Sequence, residues 1–130
     1  MATDDDLARI AMALPEVEVG TFWGGPAYVV AGKAIANRRP PRRDEGTVDP
    51  RTGEPYEDLI VVHLGTREAK EEALGAFDPD VVFTIPHFAR SYAVLAHLDR
   101  IDVADLEDLV DLAWTTRAPK RLVAERKLGD

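Results

Sequence analysis

The chain has no cysteine. Disulfides, thiolate nucleophiles and thiolate-ligated metals are therefore excluded. It has no apolar run approaching the ~20 residues that span a bilayer. Its opening, MATDDDLARI, is acidic where a signal peptide would be basic. The expected compartment is the cytoplasm, with no membrane partner. An excess of positive charge is also missing: 24 acidic residues oppose 16 Lys and Arg, a net charge of −8. Nucleic-acid binders normally carry a basic domain or stripe. Phosphate contacts here would need local segregation of charge, and the plain reading is an acidic surface that favours solubility.

Reactive constellations are sparse as well. His63, His87 and His97 are the only histidines. No two of them have the i, i+4 spacing that places ligands on one helix face, and no carboxylate cluster frames them. Ser91 lacks the Gly-x-Ser-x-Gly context of a nucleophile elbow. Gly20, Gly24, Gly25 and Gly32 match neither a phosphate loop nor a dinucleotide fingerprint. The expectation is a non-enzymatic domain without catalytic residues, metal or cofactor.

What is present is a pattern of short elements. Thr3 and Asp6 form a capping box ahead of Leu7, Ile10, Ala11 and Leu14, which share one helix face. Asp4, Asp5 and Asp6 sit in the first turn, where the helix dipole favours negative charge. After Pro15, Phe22 and Trp23 lead into a tight Gly24-Gly25-Pro26 loop, with Trp23 read as a core or loop-anchoring aromatic. Tyr28–Ala31 and Ala34–Asn37 flank Gly32-Lys33, and glycine at the first turn position suits a type II′ hairpin. Leu59–Leu64 reads as a strand, and Thr66 caps a helix to Phe77. Val81–Ile85 and Tyr92–Leu98 read as two further strands. Asp102 caps the longest helix, to about Arg117, with Leu106, Leu109, Val110 and Ala113 inward and Trp114 at the edge. Pro119 precedes a final helical turn. These elements predict one domain over residues 1–130, an α+β two-layer sandwich. Its antiparallel sheet has about five strands, with helices on one face in the order α-β3-α-β2-α.

Residues 38–58 hold four prolines, two glycines and many charges, a composition that builds no regular element. They read as a solvated, mobile loop. Arg38, Arg39, Arg42 and Arg43 in it are the densest positive cluster of the chain, and the alternative reading is a phosphate-contacting arm.

The stretches LPEVEVGTFWGGPAYVVAGKAIA and DPDVVFTIPHFARSYAVLAHLD, the latter followed by an acidic helix and APKRL, resemble the MmcQ/YjbR family of CyaY-like fold. The resemblance covers nearly the whole chain except residues 38–58, which are longer than the family's usual hairpin connection. Tyr92 stands where the family's pattern usually has a tryptophan. Members are commonly labelled DNA-binding, so the resemblance implies weak, sequence-insensitive DNA contact. Lys33 and Arg38, Arg39, Arg42 and Arg43 at one end of the sheet would carry it, with Lys120 and Arg121. The alternative is a protein- or small-ligand-binding domain without a nucleic-acid role. By strand alternation, Leu59, Val61, His63, Ala93, Leu95 and His97 share the face away from the helices, with His63 and His97 expected close together. A face so apolar is expected to be covered. A second copy of the chain, giving a homodimer, is the first expectation. Folding of the Arg-Pro loop or the C-terminal segment across it is the alternative.

Overall fold

Two tight turns set the shape of the sheet's first half. In the computed structural model, which describes residues 1–129, β1 (Val17–Phe22) and β2 (Gly25–Val30) are joined by Trp23-Gly24. β2 and β3 (Lys33–Arg38) are joined by Ala31-Gly32. All four turn residues have positive φ: Trp23 at 51°, Gly24 at 78°, Ala31 at 50° and Gly32 at 78°. Positive φ at both central positions defines type I′, whose twist matches that of the flanking strands. The second turn is thus Ala31-Gly32 of type I′, one residue earlier than the expected type II′ turn at Gly32-Lys33. The first turn makes Val17–Phe22 a paired strand, with Phe22 opposite Gly25.

Three further strands follow, β4 (Leu59–His63), β5 (only Val82–Phe83) and β6 (Ala93–His97). Among the described residues the sheet has six strands, all antiparallel neighbours, in the order β1-β2-β3-β4-β6-β5. The expected strand at Val81–Ile85 is cut short because Pro86, lacking an N–H, opens a 3-10 turn over Pro86–Phe88. The helices are α1 (Asp4–Met12), α2 (Arg67–Ala76), α3 (Val103–Arg117) and α4 (Lys120–Gly129). The two-layer α+β sandwich is therefore present, with β1 and α4 added to the expected order.

Local chemistry starts the helices. The Thr3 hydroxyl accepts from the Asp6 N–H at 3.1 Å and the Asp6 carboxylate accepts from the Thr3 N–H at 3.0 Å. The Thr66 hydroxyl accepts from the Ala69 N–H at 3.0 Å. Asp102 occupies the cap position of α3, but its side chain makes no capping bond.

All four helices pack on one face. Leu7, Ile10, Ala73, Leu106, Leu109 and Leu122 join Val30, Ile35, Ile60, Val62, Val94 and Ala96 in one dry core. Trp114, expected at its edge, lies at its centre with 0% exposure. Its indole N–H donates to the Pro15 carbonyl at 3.0 Å, which satisfies the ring's polar atom. Gly65 lets α3 dock at the end of β4: a Cβ there would sit 1.9 Å from the Thr116 carbonyl oxygen.

Candidate functional site

β4 and β6 pair with Leu59 opposite His97, Val61 opposite Leu95 and His63 opposite Ala93. The six residues expected on the second face do share it. They are not open, however: Leu59, Val61, Ala93, Leu95 and His97 are all buried, and only His63 is partly accessible. The two histidines lie at opposite ends of the strand pair, so they form no paired site.

The cover is the chain's own residues 39–58, with the 3-10 turn. This segment is a packed strap. The Asp49 N–H donates to the Glu54 carbonyl at 2.8 Å and the Tyr56 N–H to the Thr47 carbonyl at 2.9 Å. Thr47 is buried and its hydroxyl donates to the Arg42 and Asp44 carbonyls. Gly46, with φ of 89°, lies so close to Ile85 that a Cβ would approach Cγ2 to 2.8 Å. The face expected to be covered is thus covered by the Arg-Pro loop, the alternative to a second copy of the chain; the loop keeps many exposed residues but is anchored through Arg39, Thr47 and Asp58. Single polar groups provide the closure that periodicity could not reveal.

Three latches hold the strap and turn. The Asp58 carboxylate meets His97 Nδ1 at 3.0 Å, while the His97 ring lies between Tyr56, edge-on at 4.6 Å, and Phe83, stacked at 5.2 Å. Burial pushes the Asp58 carboxyl up, but the hydrogen bond and charge of His97 and the Asp99 N–H outweigh it and hold it below its ordinary range. Arg39, 6% exposed, pairs with Asp44 through Nη2 and lies over the Phe88 ring at 5.6 Å. That hydrogen bond lowers the Asp44 carboxyl. Lys70 of α2, also buried, donates to the Phe88 and Ser91 carbonyls, each at 2.7 Å. Desolvation lowers its ammonium.

The strap leaves part of the face uncovered, and there a cavity of about 520 Å³ opens between Arg39–Arg42, the 3-10 turn and the β1–β2 turn. Its walls include Phe22, Trp23, Ala27, Val61 and Phe88, with Asn37, Arg38, Arg39, Arg42, His63 and His87 among the polar groups. Trp23 is not a core aromatic. It is 74% exposed and stacks on Phe22, with centroids 4.8 Å apart at 28°. His63 lies 4.8 Å from the Phe22 ring, and its Nε2 is 2.6 Å from Asn37 Oδ1. Burial first, and then the Arg117 charge, hold the His63 ring down to about 4, so it is neutral at neutral pH.

The cavity unites Arg38, Arg39 and Arg42 from one predicted set with Val61 and His63 from the other. The rest of the basic set is elsewhere. Lys33 begins β3 and Arg38 ends it, so they sit at opposite ends of that strand and form no single basic end. Lys33 and Lys120 share a different groove with Arg117 and Lys127. Arg43 is tied to the Gly53 carbonyl at 3.0 Å and to Glu54 at 3.1 Å, and Arg121 lies 3.5 Å from Glu16. Sequence reasoning missed Phe22, Trp23, Asn37, His87 and Phe88 as wall residues. The available signal was Phe22-Trp23 directly before Gly24, because an aromatic in a tight turn points to a surface.

Among the described residues no helix is long and apolar enough to cross a membrane, and no group of three or more His, Asp or Glu side chains is placed to hold a metal ion.

No family model matches the chain, and no solved structure matches it. The chain is 39% identical over 125 residues to the uncharacterized protein Rv2570 of Mycobacterium tuberculosis (strain ATCC 25618 / H37Rv), covering 95% of this chain and 94% of that protein. The uncharacterized protein Mb2600 of Mycobacterium bovis (strain ATCC BAA-935 / AF2122/97) shows the same identity and coverage. Similarity of this extent along nearly the full length of both chains shows that the chain belongs to the family of these uncharacterized mycobacterial proteins.

Proposed function

We propose that the chain is a small-ligand-binding domain of MmcQ/YjbR type, with its site in the strap-face cavity. The observation that carries the reading is the cavity itself. About 520 Å³ falls within the size of small-molecule sites, which combine apolar and aromatic walls with a few convergent polar groups. The resemblance of residues 14–36 and 78–99 supports the family assignment, and the α+β sandwich agrees with it. Fold by itself carries no activity, so the reading rests on the site.

Intrinsic fluorescence provides the test. Trp23 lines the cavity and is exposed, whereas Trp114 is enclosed in the helix-side core. A fragment library of mixed chemistry should contain members that quench or shift the Trp23 emission, and Trp23→Phe should leave only a silent Trp114 signal. If no fragment perturbs Trp23, or if backbone amide shifts map every binder outside the cavity, the reading fails.

One observation favours weak DNA contact as a second reading. The groove holding Lys33, Arg117, Lys120 and Lys127 has no carboxylate lining it among the described residues. Such a groove would contact phosphates without reading bases. Titration with duplex DNA at two salt concentrations tests it: Lys33→Glu with Lys120→Glu should abolish any binding. Binding that survives this pair, or none at low salt, removes the second reading.

A further inference from the structure

We infer that the cavity is built for a small aromatic monocarboxylate, which deepens and rests on the ligand-binding reading above. Two features of the wall select the ligand's body and its charge. The body is selected by the aromatic wall of the Phe22–Trp23 stack, where the exposed Trp23 can meet a planar group, with Phe88 adding apolar surface. Aromatic pairs in offset or edge arrangements contribute roughly 0.5–1.5 kcal/mol beyond area burial.

The charge is selected by two arginines. Arg39 lines the cavity and is more than nine-tenths buried. Its Nη2 is taken by Asp44, but its Nη1 is enclosed with no hydrogen-bond partner among the described residues. An enclosed donor without an acceptor is costly. A ligand carboxylate that reaches this donor would remove that cost, and hydrogen bonds between a guanidinium and a carboxylate are among the strong, charge-assisted ones. Asp44 on one side and the Phe88 ring beneath fix the guanidinium, so little order is lost on binding. Arg42, three residues on, lines the same cavity, is exposed, and meets no carboxylate among the described residues. Arg38 is already engaged: it lies 3.4 Å from Asp4 and donates to the Glu57 carbonyl at 2.8 Å.

The surrounding charges limit the ligand to one negative charge. Asp4 and Glu57 also line the cavity, and Asp44 stands behind Arg39. A phosphate dianion would meet these carboxylates without the glycine-rich backbone cradle that phosphate sites use. His63, neutral at neutral pH, adds no compensating charge.

The test uses the full chain with 2-naphthoate and its neutral counterpart 2-naphthylmethanol, followed by calorimetry and Trp23 fluorescence. The naphthoate should bind at least ~10-fold more tightly, and Arg42→Ala, which leaves Arg39 in place, should reduce that preference by weakening the acid more than the alcohol. Because Arg42 is exposed, this variant retains the fold. Arg39→Lys, which keeps the charge but loses the planar fork, should weaken the naphthoate alone. Equal binding of acid and alcohol overturns the inference and leaves the ligand-binding reading standing. So does an acid preference left undiminished by both Arg42→Ala and Arg39→Lys. Failure of both probes while neutral fragments bind overturns it too, whereas failure of every fragment overturns the ligand-binding reading itself. A tripeptide ending in tryptophan that binds ~10-fold more tightly than the naphthoate would identify a peptide C-terminus as the occupant and overturn the small-molecule assignment.

Discussion

The two faces of the sheet are closed by different means. On the helix face, four helices bury a continuous apolar layer that includes Leu7, Val30, Ile60, Leu109 and Trp114. On the strap face, a smaller apolar set of Val61, Ile85, Phe88, Ala93 and Leu95 lies beneath a segment held by individual polar contacts. The first closure is distributed over many interchangeable dispersion contacts. The second is concentrated in a few groups whose burial is tolerated only while each keeps its partner. The helix face should therefore govern global stability, and the strap face should open locally while the rest of the fold persists.

The largest effect expected is on the helix face. Trp114→Ala removes a fully enclosed indole and leaves the Pro15 carbonyl without its donor. The expected cost is about 3–5 kcal/mol in urea denaturation, enough to unfold a marginal domain. A cost under about 1 kcal/mol would show that the helix-side core is loosely packed and would reverse the ranking of the two faces.

Next comes a break of the strap. Asp58→Ala leaves the buried His97 ring without its carboxylate and removes the acceptor near the Asp99 N–H. Global stability should fall by about 1–3 kcal/mol. The sharper readout is limited proteolysis. Cleavage within residues 39–58 should precede loss of the helix-side core, which amide exchange at Leu109 and Val110 reports. Simultaneous loss of both would mean that the strap and core open as one unit.

This contrast also explains what could be read in the sequence. The helix face was legible because its residues recur: Leu7, Ile10 and Ala11 on α1, then Leu106, Leu109, Val110 and Ala113 on α3, each at helical period. Alternation likewise placed Leu59, Val61, Ala93 and Leu95 on a common face. That the Arg-Pro loop covers that face was one of the alternatives the sequence offered, but the contacts that hold it there were not legible. Arg39 meeting Asp44, Asp58 meeting His97 and Lys70 meeting Phe88 span 5, 39 and 18 residues, and none belongs to a repeating pattern. Charge clustering grouped Arg38, Arg39, Arg42 and Arg43 as one surface, although the fold pairs Arg38 with Asp4, Arg39 with Asp44 and Arg43 with Glu54 and leaves Arg42 exposed. The cavity needed two such irregular segments to meet, so only Val61, His63 and three of the arginines could be anticipated.

A smaller effect should come from pH. His63 is held down to about 4 in the folded chain, against an ordinary 6.5. The unfolded chain therefore binds the proton more readily between these values, and stability is lost as pH falls from about 6.5 towards 4. Because the ring is partly accessible, the loss should be on the order of 1–2 kcal/mol. His63→Gln should flatten stability across this window. The lowered Asp58 carboxyl acts with the same sign but at lower pH, below its ordinary 3.8. A slope unchanged in His63→Gln would assign the titration to another group.

The smallest effect compares the two type I′ turns directly. Trp23 and Ala31 hold nearly the same left-handed conformation, with φ of 51° and 50°, each followed by a glycine. Neither residue type favours it, whereas Asn-Gly is a preferred type I′ pair. Ala31→Asn should relieve this strain alone and stabilise by about 0.5–1 kcal/mol. Trp23→Asn relieves the same strain but loses the stack on Phe22, so the net change should lie within about 0.5 kcal/mol of zero. The pair separates a structural tryptophan from a functional one. If Trp23 is retained for packing, Trp23→Asn should destabilise clearly, by more than about 1 kcal/mol. If it is retained for the cavity, stability should hold while naphthoate binding falls. In Ala31→Asn, far from the cavity wall, binding should not change at all. Urea denaturation and the same calorimetric titration on both variants decide between these outcomes.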